Sequence, residues 1–188
     1  AVLSPSQCPD LLHHYPSLRI LVEPSEIRAF ANQDYVDAGC QLTDQLSDAD
    51  WLLGVKEVPV DHLHPGKTHF FFSHTYKRQP STRDLLKACV DKGVRLIDWE
   101  LLKHNHDRVI GFGVYAGLVG AYEALRGYGM KRKEFDLSPA LKLGTVSELK
   151  RSLQATNTSL RAAITGSGRV ASGARDMLLA AGLKEVSP

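Results

Sequence analysis

Three short apolar runs, each breaking off into charged residues, constrain this chain more than any other feature. A strand predicted over 48–55 gives way to Lys56-Glu57. The run over 67–73, with Phe70, Phe71 and Phe72 in succession, gives way to His74-Thr-Tyr-Lys77, and Val94 to Ile97 runs into Asp98-Trp-Glu100. Apolar runs of this length between turn signals fit strands buried in a parallel sheet. Between the second and third runs lies a helix pattern. It opens after Pro80, where Ser81 and Asp84 suit a capping box, carries Leu85, Leu86, Cys89 and Val90 on one face, and stops at Gly93. Upstream, the pattern predicts a helix over 7–14, a strand over 18–22 and a helix over 32–38 stopped by Gly39. Strands alternating with helices place the chain in the α/β class.

The second half reads differently. A long helix studded with glycine is predicted over 111–128, with Gly113 and Gly117, and Ala116 and Gly120, each four apart. Small residues at that spacing suit close helix packing, within the domain or between subunits of a homo-oligomer. A polar connector is expected over 130–143, an amphipathic helix over 147–155, and a strand over 160–165 leading into Gly166 and an alanine-rich helix. The expected architecture is two Rossmann-like doubly wound domains. Residues 1–110 form a nearly complete substrate or catalytic domain, 111–145 an interdomain helix and connector, and 146–188 a dinucleotide-binding domain that is only begun. On that reading the chain is a fragment.

Composition narrows the partners. Of 188 residues, 43% are hydrophobic and 23% charged, and the formal charge is only +2, so neither nucleic acid nor a membrane surface is implied. The run Lys131-Arg132-Lys133 is too short for such a role, and the apolar stretch over 109–125 is too short and polar to span a bilayer. Cys8, Cys40 and Cys89 are odd in number and widely spaced, which argues against a disulfide framework and for a reducing, cytoplasmic setting. No leader pattern opens the chain. His62-x-His64 and His104-x-His106 each offer two nitrogens but no third ligand at a recognisable spacing, so no metal is expected.

In a parallel sheet the carboxyl ends of the strands share one edge, and ligand crevices form there. Lys56, Glu57, His74, Lys77, Asp98 and Glu100 would then gather on one rim. Such a set suits acid–base work on an amine or imine: histidine titrates near neutrality, and a lysine near other cations or partly desolvated moves towards it. Gly166-Ser167-Gly168-Arg169-Val170-Ala171 adds a second signal, since a glycine-rich turn between a strand and a helix can cradle a pyrophosphate. Gly166 permits the tight turn, Gly168 lets phosphate approach the backbone, and Ala171 allows close packing of helix on strand. The acidic residue that separates NAD from NADP would fall near or beyond residue 188, so NAD is the expected cofactor with NADP left open.

These residues in order, Leu53-Gly-Val-Lys56-Glu57-Val-Pro59, Phe71-Phe-Ser-His74-Thr-Tyr-Lys77-Arg-Gln79, Leu96-Ile-Asp98-Trp-Glu100 and Gly111-Phe-Gly113-Val-Tyr-Ala116-Gly117, resemble the lysine-forming saccharopine dehydrogenases and lysine–oxoglutarate reductases. The chain is more distantly similar to alanine dehydrogenase and the transhydrogenase nucleotide-binding subunit. The resemblance implies a two-domain α/β dehydrogenase using NAD. Lys56 and His74 would be its acid–base pair, Glu57 and Glu100 would tune them, and Lys77 would belong to the same site. The implied reaction is hydride transfer from saccharopine followed by imine hydrolysis to lysine and 2-oxoglutarate. Two alternatives stand beside it: an alanine dehydrogenase-like enzyme acting on a smaller oxo acid, and a silent binding or regulatory domain of the same fold. The family's first strand, with its substrate arginine, and most of the nucleotide domain are not matched in these residues.

Overall fold

Proline at the start of short helices and glycine at their ends set out the N-terminal elements. In the computed structural model, which describes residues 2–156 and 160–186, a 3-10 turn over Pro5–Gln7 leads into helix α1, Cys8–His14. Strand β1 is only Leu21–Val22, shorter than the predicted 18–22. Helix α2, Asn32–Asp37, ends where Gly39 takes a φ of +85°, a conformation that costs a glycine little. Strand β2, Gln41–Leu42, then pairs in parallel with β1, Leu21 opposite Gln41 and Val22 opposite Leu42. A small core of Cys8, Tyr35 and Cys40 lies against this pair, and the Tyr35 hydroxyl donates to the Leu3 carbonyl at 2.7 Å.

Strands β3, Trp51–Leu53, β4, Thr68–Phe71, and β5, Arg95–Asp98, form a parallel three-stranded sheet in that order. Helix α3, Arg83–Asp91, connects β4 to β5, and its Leu85, Ala88 and Cys89 cluster with Leu63 and Phe71. Gly93, at φ +61°, ends it as predicted. The helix start differs from the expected capping box at Ser81 and Asp84. Pro80–Thr82 forms a 3-10 turn, α3 begins only at Arg83, and the Thr82 hydroxyl donates back to the Gln79 carbonyl at 3.0 Å. A proline-led 3-10 turn uses up the residues that the box needs.

The strand over 48–55 is also not buried throughout. Residues 46–48 are a 3-10 turn, and β3 is the sheet's edge, with Trp51 65% and Leu53 44% exposed. The parallel strands therefore fall into a pair and a triplet, not one continuous sheet. A hairpin completes this unit, which spans Ala1–Ile110: β6, Lys103–His104, pairs antiparallel with β7, Asp107–Arg108. Its two turn residues, Asn105 and His106, both have positive φ, the requirement of a two-residue type I′ turn.

The second unit, Gly111–Pro188, is helical among its described residues. Helix α4, Gly113–Arg132, runs four residues past the predicted end. The expected connector over 130–143 is therefore helical at its start, and Lys133 takes the left-handed cap. Helix α5 is Val146–Leu153, opened by a true capping box in which Thr145 Oγ1 accepts from the Glu148 amide and the Glu148 carboxylate accepts from the Thr145 amide. Helix α6 is Arg169–Ala180. Leu118, Tyr122, Leu125, Leu149, Leu153 and Met177 make the core of this unit. The strand expected over 160–165 does not form: no strand occurs among the described residues of this unit. An apolar run sets a burial pattern, but not the ladder that makes a strand.

Two glycines set the distance between α4 and α6. A Cβ on Gly117 would lie 2.0 Å from the Val170 carbonyl oxygen, and one on Gly173 would lie 2.0 Å from that of Val114. The small-residue spacing thus serves close packing on the Gly113 and Gly117 face, while a Cβ at Gly120 would meet nothing within 4 Å. Gly117→Ala should therefore lower stability by about 1–3 kcal/mol, the range for forced overpacking. Gly120→Ala should raise it by up to about 1 kcal/mol through helix propensity. Urea unfolding of the two variants tests both signs; equal effects would contradict the packing argument.

Candidate active site

The parallel register decides which side chains meet. Phe71, the last residue of β4, pairs with Asp98, the last of β5, so the segments that follow leave the sheet side by side. Gly54 and Val55 extend the β3 ladder, the Gly54 amide donating to Phe70 O at 2.8 Å and the Phe72 amide to Val55 O at 3.1 Å. The indole of Trp99 donates to the Gly54 carbonyl at 2.7 Å, tying the exit of β3 to that of β5. Lys56 and Glu57 therefore leave the same edge as His74 and Glu100.

After β4 the chain turns sharply. His74 adopts a left-handed conformation at φ 55° and ψ 7°, the 3-10 turn Thr75–Lys77 follows, and Arg78 is again left-handed. A non-glycine residue in this region costs about 1–2 kcal/mol, and such strain persists where surrounding contacts impose it. The contacts here come from Asp98. Its Oδ2 accepts from the Ser73 hydroxyl at 2.6 Å and from the His74 amide at 3.0 Å. Its Oδ1 accepts from the Glu100 amide at 2.8 Å, capping the 3-10 turn Trp99–Leu101.

Glu100 is the electrostatic centre. It is 7% exposed, and three cationic or potentially cationic groups reach it. His74 Nδ1 and Lys77 Nζ lie 2.9 and 3.1 Å from Oε2, and an Arg108 nitrogen lies 2.8 Å from Oε1. Burial alone would raise the Glu100 pKa. Hydrogen bonds from Lys77, His74 and Tyr76 outweigh it and hold the carboxyl at about 2.

A carboxylate can only accept, so Nδ1 of His74 must carry its proton toward Glu100. Lys77 Nζ, 3.1 Å from the same Nδ1, then has Glu100 as its acceptor. That arrangement leaves Nε2 of a neutral His74 with a free lone pair, the form a general base requires.

The structure thus brings together His74, Lys77 and Glu100 of the predicted set. It puts Lys56 and Glu57 at the same sheet edge, both exposed, with side chains that make no hydrogen bond or ion pair among the described residues. Arg108, Ser73 and the organising role of Asp98 were not foreseen. Arg108 is delivered by the β6–β7 hairpin, for which Asn105 was the available signal. Among the described residues no group of three or more His, Cys, Asp or Glu side chains is spaced for a metal ion. All three cysteines are buried and unpaired, and burial and then the neighbouring Cys8 push the Cys40 thiol up to about 12.

In the second unit, Gly166, Ser167, Gly168, Arg169 and Val170 are all exposed. Gly166 has φ +85°, and Cβ atoms built on Gly166 and Gly168 would meet nothing within 4 Å. Gly168 caps α6, and no side-chain bond to the helix's first amides occurs among the described residues. Open backbone approach and unsatisfied amides fit the pyrophosphate of a dinucleotide. The close-packing small residue of this turn is Gly173 against α4, where Ala171 was expected to pack on a strand.

The profile of the family described as "Alanine dehydrogenase/PNT, N-terminal domain" matches residues 1–119. Alpha-aminoadipic semialdehyde synthase of Arabidopsis thaliana is 37% identical over 148 residues, covering 76% of this chain and 14% of that protein. The protein named alpha-aminoadipic semialdehyde synthase, mitochondrial, of Mus musculus is 31% identical over 179 residues, covering 85% of this chain and 19% of that protein. Saccharopine dehydrogenase (NAD(+), L-lysine-forming) of Candida glabrata is 30% identical over 207 aligned positions, covering 98% of this chain and 54% of that protein. The chain therefore spans between 14% and 54% of the length of these relatives.

Glu100 ties acid sensitivity to this site. Its folded pKa of about 2 lies below the ordinary 4.5, so its stabilising contribution is complete above about pH 4.5 and is lost as pH falls towards 2. Urea midpoints measured from pH 6 to pH 2 should decline through that window, and Glu100→Gln should flatten the decline. An unchanged slope in the variant would show that other carboxyls carry the effect.

Proposed function

The chain belongs to the alanine dehydrogenase/PNT N-terminal domain family, and we propose that it forms the acid–base part of a nicotinamide-dependent dehydrogenase that interconverts saccharopine with lysine and 2-oxoglutarate. The observation that carries this reading is the Glu100 carboxylate at 2.9 Å from His74 Nδ1, which presents Nε2 as a proton acceptor at the sheet edge that Lys56 also leaves. The names of the relatives support the substrate class.

In the saccharopine-consuming direction, a bound nicotinamide dinucleotide would supply the hydride acceptor for the carbon bearing the secondary amine. Lys56 or His74 removes the amine proton, so the C–N bond becomes an imine. Water then adds to the imine carbon as one of the pair takes a proton from it and nitrogen gains one, giving a carbinolamine. The carbinolamine hydroxyl then loses its proton to the pair while nitrogen is protonated again and the C–N bond breaks, releasing lysine and 2-oxoglutarate. Glu100 holds the histidine tautomer throughout, and Glu57, next to Lys56 in the chain, tunes the lysine. Lys77 and Arg108 keep Glu100 ionised. Gly166, Gly168 and the first amides of α6, with Ser167, Arg169 and Val170 around them, would hold the dinucleotide phosphates. We take NAD as the cofactor from the name of the Candida glabrata relative.

No helix among the described residues is long and apolar enough to cross a membrane. The mouse relative is named as mitochondrial, and three buried, unpaired cysteines suit a reducing compartment, matrix or cytosol alike.

In the full-length protein, NADH oxidation should occur with lysine plus 2-oxoglutarate and not with pyruvate plus ammonia. The reverse pattern would assign the alanine dehydrogenase chemistry instead, and silence with both pairs would remove the enzyme reading. Lys56→Met and His74→Gln should each lower turnover more than tenfold with the fold retained, as expected for acid–base groups; near-normal rates in both would overturn their assignment.

A further inference from the structure

Beyond the groups that face substrate, we propose that Asp98 is a positioning residue, setting the orientation of His74 and Glu100 through the backbone of both; this rests on the acid–base reading of His74. Among the described residues Asp98 makes no hydrogen bond to the imidazole ring or to the Glu100 carboxylate. It acts on the two segments that carry them.

Three donors converge on its two oxygens: the Ser73 hydroxyl and the His74 amide on Oδ2, and the Glu100 amide on Oδ1. Asp98 is 6% exposed and Ser73 is fully buried, so water is a poor substitute for any of these contacts. Ser73 is itself committed. Its one hydroxyl proton goes to Asp98, so the Thr75 hydroxyl at 2.9 Å must donate to Ser73 Oγ, as the Thr75 amide does at 3.2 Å. A chain of donors thus runs from the 3-10 turn behind His74 into one carboxylate, and that carboxylate also caps the turn bearing Glu100.

The left-handed backbone of His74 gives this arrangement a specific function. With φ at 55°, the His74 amide points to Asp98 while its ring Nδ1 lies 2.9 Å from Glu100 Oε2. Releasing the amide lets residue 74 relax into an ordinary region, which turns the ring from Glu100. A carboxamide in place of the Asp98 carboxylate cannot satisfy the set. Whichever way it is turned, its NH2 faces a backbone N–H, either of residue 74 or of residue 100.

The test is Asp98→Asn in the full-length protein, with 15N-labelled histidine so that ring nitrogens report the tautomer by NMR. The His74 signals are identified by their absence in His74→Gln. The wild-type ring should show the Nδ1-protonated pattern. Asp98→Asn should shift it to the mixture of a free imidazole, lower kcat at least tenfold and leave the KM for NADH within twofold. Ser73→Ala, a milder loss of one donor, should move ring pattern and kcat the same way by a few-fold, and it decides the matter if Asp98→Asn does not fold. An unchanged ring pattern in the folded variant overturns the proposal, whether or not kcat falls. If the protein shows no turnover with lysine and 2-oxoglutarate, the activity reading fails, and the ring pattern alone still decides the role of Asp98.

Discussion

The pairing of β4 with β5 is the constraint on which the candidate site depends. Because Phe71 stands opposite Asp98, the first residues beyond each strand fall within hydrogen-bonding reach, and one buried carboxylate can bind both exits. A slip of one residue would turn every side chain of one strand to the opposite face. Asp98 would then point away from Ser73, and Glu100 would lose His74. The register is held in turn by the burial of His69 and Phe71 on one face and by the Phe70–Trp99 contact on the other, 5.1 Å between ring centroids. Ordinary strand burial thus gives the polar groups their geometry.

The second unit depends on a different constraint. Its two longest helices meet through glycine backbones, so the separation of α4 and α6 is fixed by the absence of side chains and not by interlocking ones. Close approach brings the start of α6, Arg169 and Val170, against Gly113 and Gly117, so the glycine-rich turn before it is anchored at its helical end. The phosphate-binding role proposed for this turn would need such an anchor, since its open glycines supply no packing of their own.

Much of this was legible because burial and charge alternate over short distances. Apolar runs ending in Lys56-Glu57, in His74 and in Asp98-x-Glu100 point to strand exits, and parallel pairing of the second run with the third follows from the helix pattern between those two. What was not legible depends on partners distant in sequence. Arg108 reaches Glu100 only because a two-residue turn folds the chain back, and nothing near Arg108 names its acceptor. The exposure of Trp51 follows from β3 being an edge strand, which its own residues do not disclose. Residues 160–165 carry a strand's composition, yet no strand forms there among the described residues. Local chemistry misled once as well: Ser81 and Asp84 have the right spacing for a box that the turn at Pro80 displaces.

The left-handed backbone at position 74 sets stability and chemistry against each other. Glycine there would relieve the conformational cost and leave the hydrogen bond to Asp98 in place, but would remove the imidazole. Histidine retains the ring and keeps the cost, which the contacts around Asp98 must then offset. Selection for a more stable chain would therefore act against His74, and selection for the proton chemistry proposed for it would act to keep it, so the residue found at this one position measures which demand prevails.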